Sequence, residues 1–279
     1  MLTILFGLSS ALAWGAADFC GGLASRRGKA FQAVLFGEGV GLVILLGLAL
    51  LSGEKSMSRQ AWLMCTIAGA MGVLGLLLFY HSMTKVQMSV AAPVSALAAA
   101  VLPVIAGSFL DGFPGWLTFI GFGLALAAIW FISQADGGPK SLRLRLRDLG
   151  LPLLSGVSFG IYLILFNRSS QSNIFWPLVV ARVAGTLTML VYALASRQSM
   201  LPPRNAWGLI AGYGLLDVTG NALYILAGQA GRMDVAAVLV SLYPASTVVL
   251  AGLILHERLN RSQVLGILAA LVAIVLITI

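Results

Sequence analysis

Charge is what this chain has least of. Only 9% of its 279 residues are Asp, Glu, Lys or Arg, where a water-soluble domain carries about 25%. With 59% hydrophobic residues and a mean hydropathy of +0.99, that scarcity excludes a soluble globule. Acid is scarcer than base, 9 residues against 17, which leaves a net charge of +8. In a soluble protein that excess would point to nucleic acid. Here no aromatic-plus-basic patch exists, and the bases fall between long apolar runs, where cytoplasmic loops of membrane proteins carry them. No nucleic-acid partner is expected. The two cysteines, Cys20 and Cys65, lie inside apolar runs and read as small hydrophobes, not a disulfide framework. The two histidines, His81 and His256, sit at run edges and cannot alone build a metal or haem site. His-Glu-x-x-His, Gly-x-Ser-x-Gly and a glycine-rich loop before a lysine are all missing, so neither a catalytic set nor a metal or other cofactor is expected.

What the chain does have is apolar runs of bilayer length. A hydrocarbon core needs roughly 20 apolar residues per helix. On that scale ten spans are predicted, at 4–24, 31–51, 61–81, 88–110, 116–134, 149–167, 175–195, 206–228, 235–255 and 262–279. Ala11-Leu12-Ala13 imitates a signal-peptidase site, but no base precedes the apolar stretch, so the first run reads as an uncleaved span.

The runs also repeat. Residues 1–134 slid along by 145 overlay 146–279 without a gap, with 30 identities in 134 pairs. Ala61-Trp62 falls on Ala206-Trp207, Gly69 and Gly75 on Gly214 and Gly220, and Ala106-Gly107 on Ala251-Gly252. A period of 145 is too long for a solenoid and reads as a duplicated half. The expected units are a five-helix repeat at 1–134, a basic loop at 135–148 with Arg143, Arg145 and Arg147, and a second five-helix repeat at 149–279. Five is odd, so the second copy enters the membrane in the opposite sense. The predicted fold is therefore an all-α integral membrane protein of ten transmembrane helices in two inverted five-helix repeats. Such pairs can rock about a site near the midplane, which is a transporter's plan. With no nucleotide-binding motif, the energy would come from a gradient.

Four ionisable residues fall inside spans, Asp18, Glu38, Arg182 and Asp217. Each costs at least about 2.5–3.5 kcal/mol in hydrocarbon and needs a reason to be there. Helical spacing puts Tyr213, Asp217, Asn221 and Tyr224 on one stripe, whose repeat partners Ala68, Gly72, Leu76 and Phe79 are mostly apolar. The stripe faces either a solute or proton path or a neighbouring helix that it clamps. Ser10, Trp14 and Asp18 share a face of the first span. Ser155, Phe159, Tyr162 and Phe166 form the matching face of the sixth. Both read as cavity walls or as packing. Glu38 and Arg182 occupy neighbouring repeat positions and would make a latch if their helices meet, at little net stabilisation. Three acids against one base favour a cationic or zwitterionic solute, or proton coupling. Gly37-x3-Gly41, Gly156-x3-Gly160 and Gly69, Gly72 and Gly75 let helices approach closely. Pro93, Pro103 and Pro244 interrupt the fourth and ninth spans, with Ser241, Tyr243 and Ser246 placed to bond freed backbone or line the cavity.

The ending Ser241-Leu242-Tyr243-Pro244, then Glu257-Arg258-Leu259 and Leu265-Gly266, and the opening Ala11-Leu12-Ala13-Trp14-Gly15, resemble motifs of the drug/metabolite transporter superfamily, specifically its EamA-like branch. His256 stands where that family has glycine, and Asp111-Gly112-Phe113 where its first half has Glu-Arg-Leu. The resemblance implies transport, often export, of amino acids, metabolites or drugs, and the membrane expected is the bacterial cytoplasmic (inner) one. The expected partners are a small-molecule solute, a proton or other coupling ion, and lipid, for a monomer or weak homodimer. The competing readings are an intramembrane enzyme acting on lipid and a channel or receptor without coupled transport.

One set of loops holds 12 of the 17 bases and the other holds 4, with Arg182 inside a span. The richer side is expected in the cytoplasm, which puts both termini outside, opposite to what the family resemblance implies. A C-terminal reporter active only in the cytoplasm should therefore stay silent; a signal would reverse the orientation.

Overall fold

The structure is a computed structural model and describes all residues except 55–56, 84–87, 133–149, 196–198, 255–260 and 279. The basic loop at 135–148, His256 and the Glu257-Arg258-Leu259 motif lie outside the described residues. Among those described no strand occurs. The helices are α1 (Leu2–Arg27), α2 (Ala30–Ser52), α3 (Arg59–Met83), α4 (Met88–Leu110), α5 (Trp116–Ile132), α6 (Gly150–Ser169), α7 (Phe175–Ala195), α8 (Trp207–Ala230), α9 (Met233–Val240), α10 (Tyr243–Ile254) and α11 (Arg261–Thr278). Six apolar stretches are long enough to cross a membrane, those of α1, α2, α3, α6, α7 and α8, and four shorter apolar segments accompany them. The chain is an all-helical integral membrane protein.

Each expected span holds one helix, with one correction. The span expected at 235–255 is not continuous but breaks into α9 and α10 at Ser241-Leu242. Pro244 has no N–H to donate to Val240, and its ring would strike that carbonyl. The chain tightens instead, with the Leu242 amide donating to Leu239 O at 3.2 Å. Ser241 Oγ donates to Ala237 O at 2.7 Å and Ser246 Oγ to Tyr243 O at 2.8 Å, so polar side chains cover the broken turn. Pro93 and Pro103, by contrast, lie within α4, which runs unbroken.

The longest helix contacts run α1 along α8 and α3 along α6, while α5 packs on α11 at the edge. Small residues make these approaches possible. A Cβ on Gly75 would strike Phe159, and one on Gly220 would strike Trp14. At the same crossings Ser10 Oγ donates to Gly220 O at 2.7 Å and Ser155 Oγ to Gly75 O at 2.8 Å. Lipid supplies no hydrophobic drive between helices, so close packing and such bonds hold them together.

Polar ties join loops and helix ends at both faces. On the Met1 side, the Glu54 carboxylate accepts the Ile174, Phe175 and Trp176 amides at 2.7–3.1 Å. It thereby caps α7 from the loop after α2 and places a negative charge at a positive helix end. There too Arg168 pairs with Asp111 at 2.9 Å. Arg232 donates to Asp111 O and Gly112 O and pairs with the fully buried Asp234 at 2.8 Å; that bond and charge hold its guanidinium above the ordinary arginine range. On the opposite side Arg27 donates to Asn205 O, and Gln32 to Ser199 O and Leu201 O, at 2.7–3.0 Å.

Gly69 abuts the Ala181 backbone, which has no flexible end to move aside, while a Cβ on Gly39 meets nothing. Gly69→Ala should lower stability by about 1–3 kcal/mol in thermal unfolding of the detergent-solubilised protein, with Gly39→Ala close to wild type. Equal behaviour would show that the α3–α7 contact is not close-packed.

Candidate functional site

The middle of the bundle holds a cavity of about 210 Å³. Its walls come from α1, α2, α3, α4, α6, α7, α8, α9 and the broken turn before α10. Most of the lining is apolar or aromatic, including Gly69, Gly72, Leu76, Ala96, Phe159, Phe166 and Leu178. A concave apolar site with a few converging polar groups is the usual form of a small-molecule site.

The polar groups form one chain of contacts. One terminal nitrogen of Arg182 on α7 bonds Glu38 on α2, and the other bonds Asp217 on α8. The side chains of Arg182, Glu38 and Asp217 are 6%, 12% and 18% exposed, so the set is largely removed from water. Asn221, one turn along α8, donates to Asp217 O at 2.7 Å and to its carboxylate at 3.1 Å. The Tyr162 hydroxyl on α6 donates to Asn221 Oδ1. Glycines make room, because a Cβ on Gly41 would crowd the Arg182 guanidinium and one on Gly37 would collide with the Tyr213 ring. The chain therefore ties α2, α7, α8 and α6 around one space.

Of the eight residues expected at a site, Trp14, Asp18, Tyr162, Tyr213, Asp217, Asn221 and Tyr243 line this cavity. Tyr224 does not. It is fully buried, its hydroxyl donates to Leu163 O at 2.9 Å, and its ring centroid lies 6.1 Å from that of Trp14. It acts as the interhelical clamp that was the alternative reading of the stripe. Ser10 and Ser155 likewise turn to carbonyls, not to the cavity. Glu38 and Arg182 do meet, but as a threesome with Asp217. Sequence reasoning missed that third link. Its one signal was arithmetic: a lone base among three acids inside the spans. Trp14 Nε1 is buried without a partner among the described residues.

The two ends of the cavity differ. Towards the Met1 side, Leu163, Phe166, Leu178, Tyr224, Ile225, Ala237 and Val240 belong to one fully packed cluster. Towards the other side Asp18 is exposed, as is Gly22 a turn further along α1, where a Cβ would meet nothing.

The model of the EamA-like transporter family matches residues 1–134 and again 149–279. The chain belongs to that family. It is 25% identical over 297 aligned positions to a protein of Streptococcus pyogenes serotype M1 named "Putative sugar uptake protein", covering 98% of this chain and 97% of that one. It is 26% identical over 129 residues to an uncharacterised protein of Methanocaldococcus jannaschii, covering 46% of this chain and 94% of the relative. A protein of known crystal structure superposes with a TM-score of 0.78 at 15% identity, over 99% of this chain and 96% of that one. That likeness speaks for the fold alone.

Removing only Arg182 would leave two buried carboxylates unpaired. Arg182→Met should destabilise the protein by roughly 3 kcal/mol, and the triple change with Glu38→Gln and Asp217→Asn should restore most of that. Thermal unfolding in detergent checks both. An Arg182→Met protein as stable as wild type would mean the three groups are solvated separately.

Proposed function

We propose that this protein is a secondary transporter that moves small polar solutes, cationic or zwitterionic, by alternating access of two inverted repeats around the central cavity. The observation that carries the reading is the site itself. A charged network sits at mid-bundle, with a buried apolar cluster towards one face and Asp18 and Gly22 exposed towards the other. A carrier needs one closed and one open approach in each resting state, and exchanges them during the cycle.

The repeat reading is supported by contacts that exchange under a shift of 145. Ser10 bonds Gly220 and Ser155 bonds Gly75, and Gly220 abuts Trp14 as Gly75 abuts Phe159. Adding 145 to one member of each pair, and subtracting it from the other, turns one set into the other. The double match of the family model and a relative about one repeat long point the same way. Glu38 lies in the first repeat and Arg182 and Asp217 in the second, so their network acts as a latch that must rearrange when the site changes sides.

The streptococcal relatives' name favours a small hydrophilic cargo. Export is the direction that the family resemblance implies, and uptake the one that this name carries. The sign of gradient-driven flux separates them. The membrane proposed is the bacterial cytoplasmic one, with the exposed end of the cavity facing the basic, cytoplasmic side. No observation on the described residues favours the lipid-enzyme or the channel reading.

In proteoliposomes carrying an imposed proton gradient, flux of amines, amino acids or monosaccharides should respond to the gradient and saturate. Asp217→Asn should lower it at least about tenfold, the size of effect expected from loss of a charge-assisted bond. Single-channel currents, or flux indifferent to both gradient and variant, would refute the carrier reading.

A further inference from the structure

The three acids of the cavity are not equivalent. Glu38 and Asp217 each receive one terminal nitrogen of Arg182. Asp18 lines the same cavity and is exposed to it, and no hydrogen bond or ion pair engages its carboxylate among the described residues. An unpaired carboxylate inside a membrane span faces a large penalty unless it meets water or a counter-charge. A counter-charge is what the rest of the lining leaves unsupplied. Three carboxylates against one guanidinium leave two net negative charges when all are ionised. Asp217 faces Asp18 from α8, Glu38 from α2 and the engaged Arg182 from α7.

We propose that Asp18 is the subsite that receives the ammonium group of an organic amine carried by this cavity. This rests on the transporter reading and names its substrate class. The carboxylate supplies a charge-assisted bond to the N–H groups. Trp14, one turn earlier on the same face of α1 and also in the lining, supplies an aromatic face of the kind that attracts cations. A carboxylate on the solute finds no matching partner. Arg182 is the basic side chain of the lining, and both its terminal nitrogens are spent on protein acids. Amines without an acid group are therefore favoured over amino acids, which narrows the cationic-or-zwitterionic alternative to its first member.

The test uses matched pairs that differ only in the amine: glucosamine against glucose, and ethanolamine against ethylene glycol, with choline and glycine added. Binding to the full purified protein is read by calorimetry, and flux by proteoliposome uptake. At least one amine should bind about tenfold or more tighter than its neutral counterpart, and glycine should bind more weakly than ethanolamine. Asp18→Asn should erase that preference, Asp18→Glu should keep it, and Cys20→Ser should leave it unchanged. Should Asp18→Asn fold poorly, loss of preference in an Asp18→Ser protein with Asp18→Glu retaining it carries the same information. An amine preference that survives Asp18→Asn overturns the assignment, as does neutral and charged members binding alike or nothing in the panel binding at all. Transport of glucose indifferent to Asp18 would overturn the assignment and leave the carrier intact. An amine bound through Asp18 but never moved by a gradient would do the reverse.

Discussion

Everything in the middle of this bundle follows from the difficulty of holding charge inside a membrane. A guanidinium and two carboxylates are tolerated there because they meet, Arg182 reaching Glu38 on one hand and Asp217 on the other. Pairing of this kind adds little stability over an apolar packing of the same volume, yet removing one member is costly. Such a set makes a poor fastener and a good registration device. It fixes where α2, α7 and α8 stand relative to one another, and Asn221 and Tyr162 extend that registration to α6. The cavity is the space these obligations leave.

The same constraint explains why the two ends of the cavity are built differently. On the Met1 side, large side chains such as Phe166 and Tyr224 are fully buried in one apolar cluster. Polar ties at that face are spread over loops, with Glu54 capping α7 and Arg168 paired with Asp111. On the opposite side α1 carries glycine at Gly21 and Gly22 just beyond Asp18, so bulk gives out where the free carboxylate begins.

Much of this was legible in the sequence, and what was not has physical causes. Helical spacing placed Trp14 with Asp18, and Tyr213 with Asp217 and Asn221, because side chains four apart share a face whatever surrounds them. The same rule overreached at Tyr224. That residue is on the right face, but it lies eleven positions beyond Tyr213, about 16 Å along the axis, and so passes below the cavity floor into packed core. Periodicity gives direction and not depth. The break at Ser241-Leu242 was signalled by Pro244, but Pro93 and Pro103 give the same local signal in α4 without breaking it. Partner choice is harder still. Arg182 could be matched to Glu38 by repeat arithmetic, whereas its bond to Asp217 depends on how far apart α7 and α8 settle.

The duplication and the chemistry pull in opposite directions, and the glycines show how both are accommodated. Under the 145-residue overlay Arg182 falls on Gly37 and Asp217 on Gly72. These glycines are the hollows that receive the aromatic walls, since a Cβ on Gly37 would run into Tyr213 and one on Gly72 would press on Tyr162. At these two overlaid positions residues 146–279 carry charge, and residues 1–134 carry glycine. Had charged side chains stood at Gly37 and Gly72 as well, the rings would have had no seat. Gly37 and Gly72 are therefore as much a part of the site as the residues that fill them.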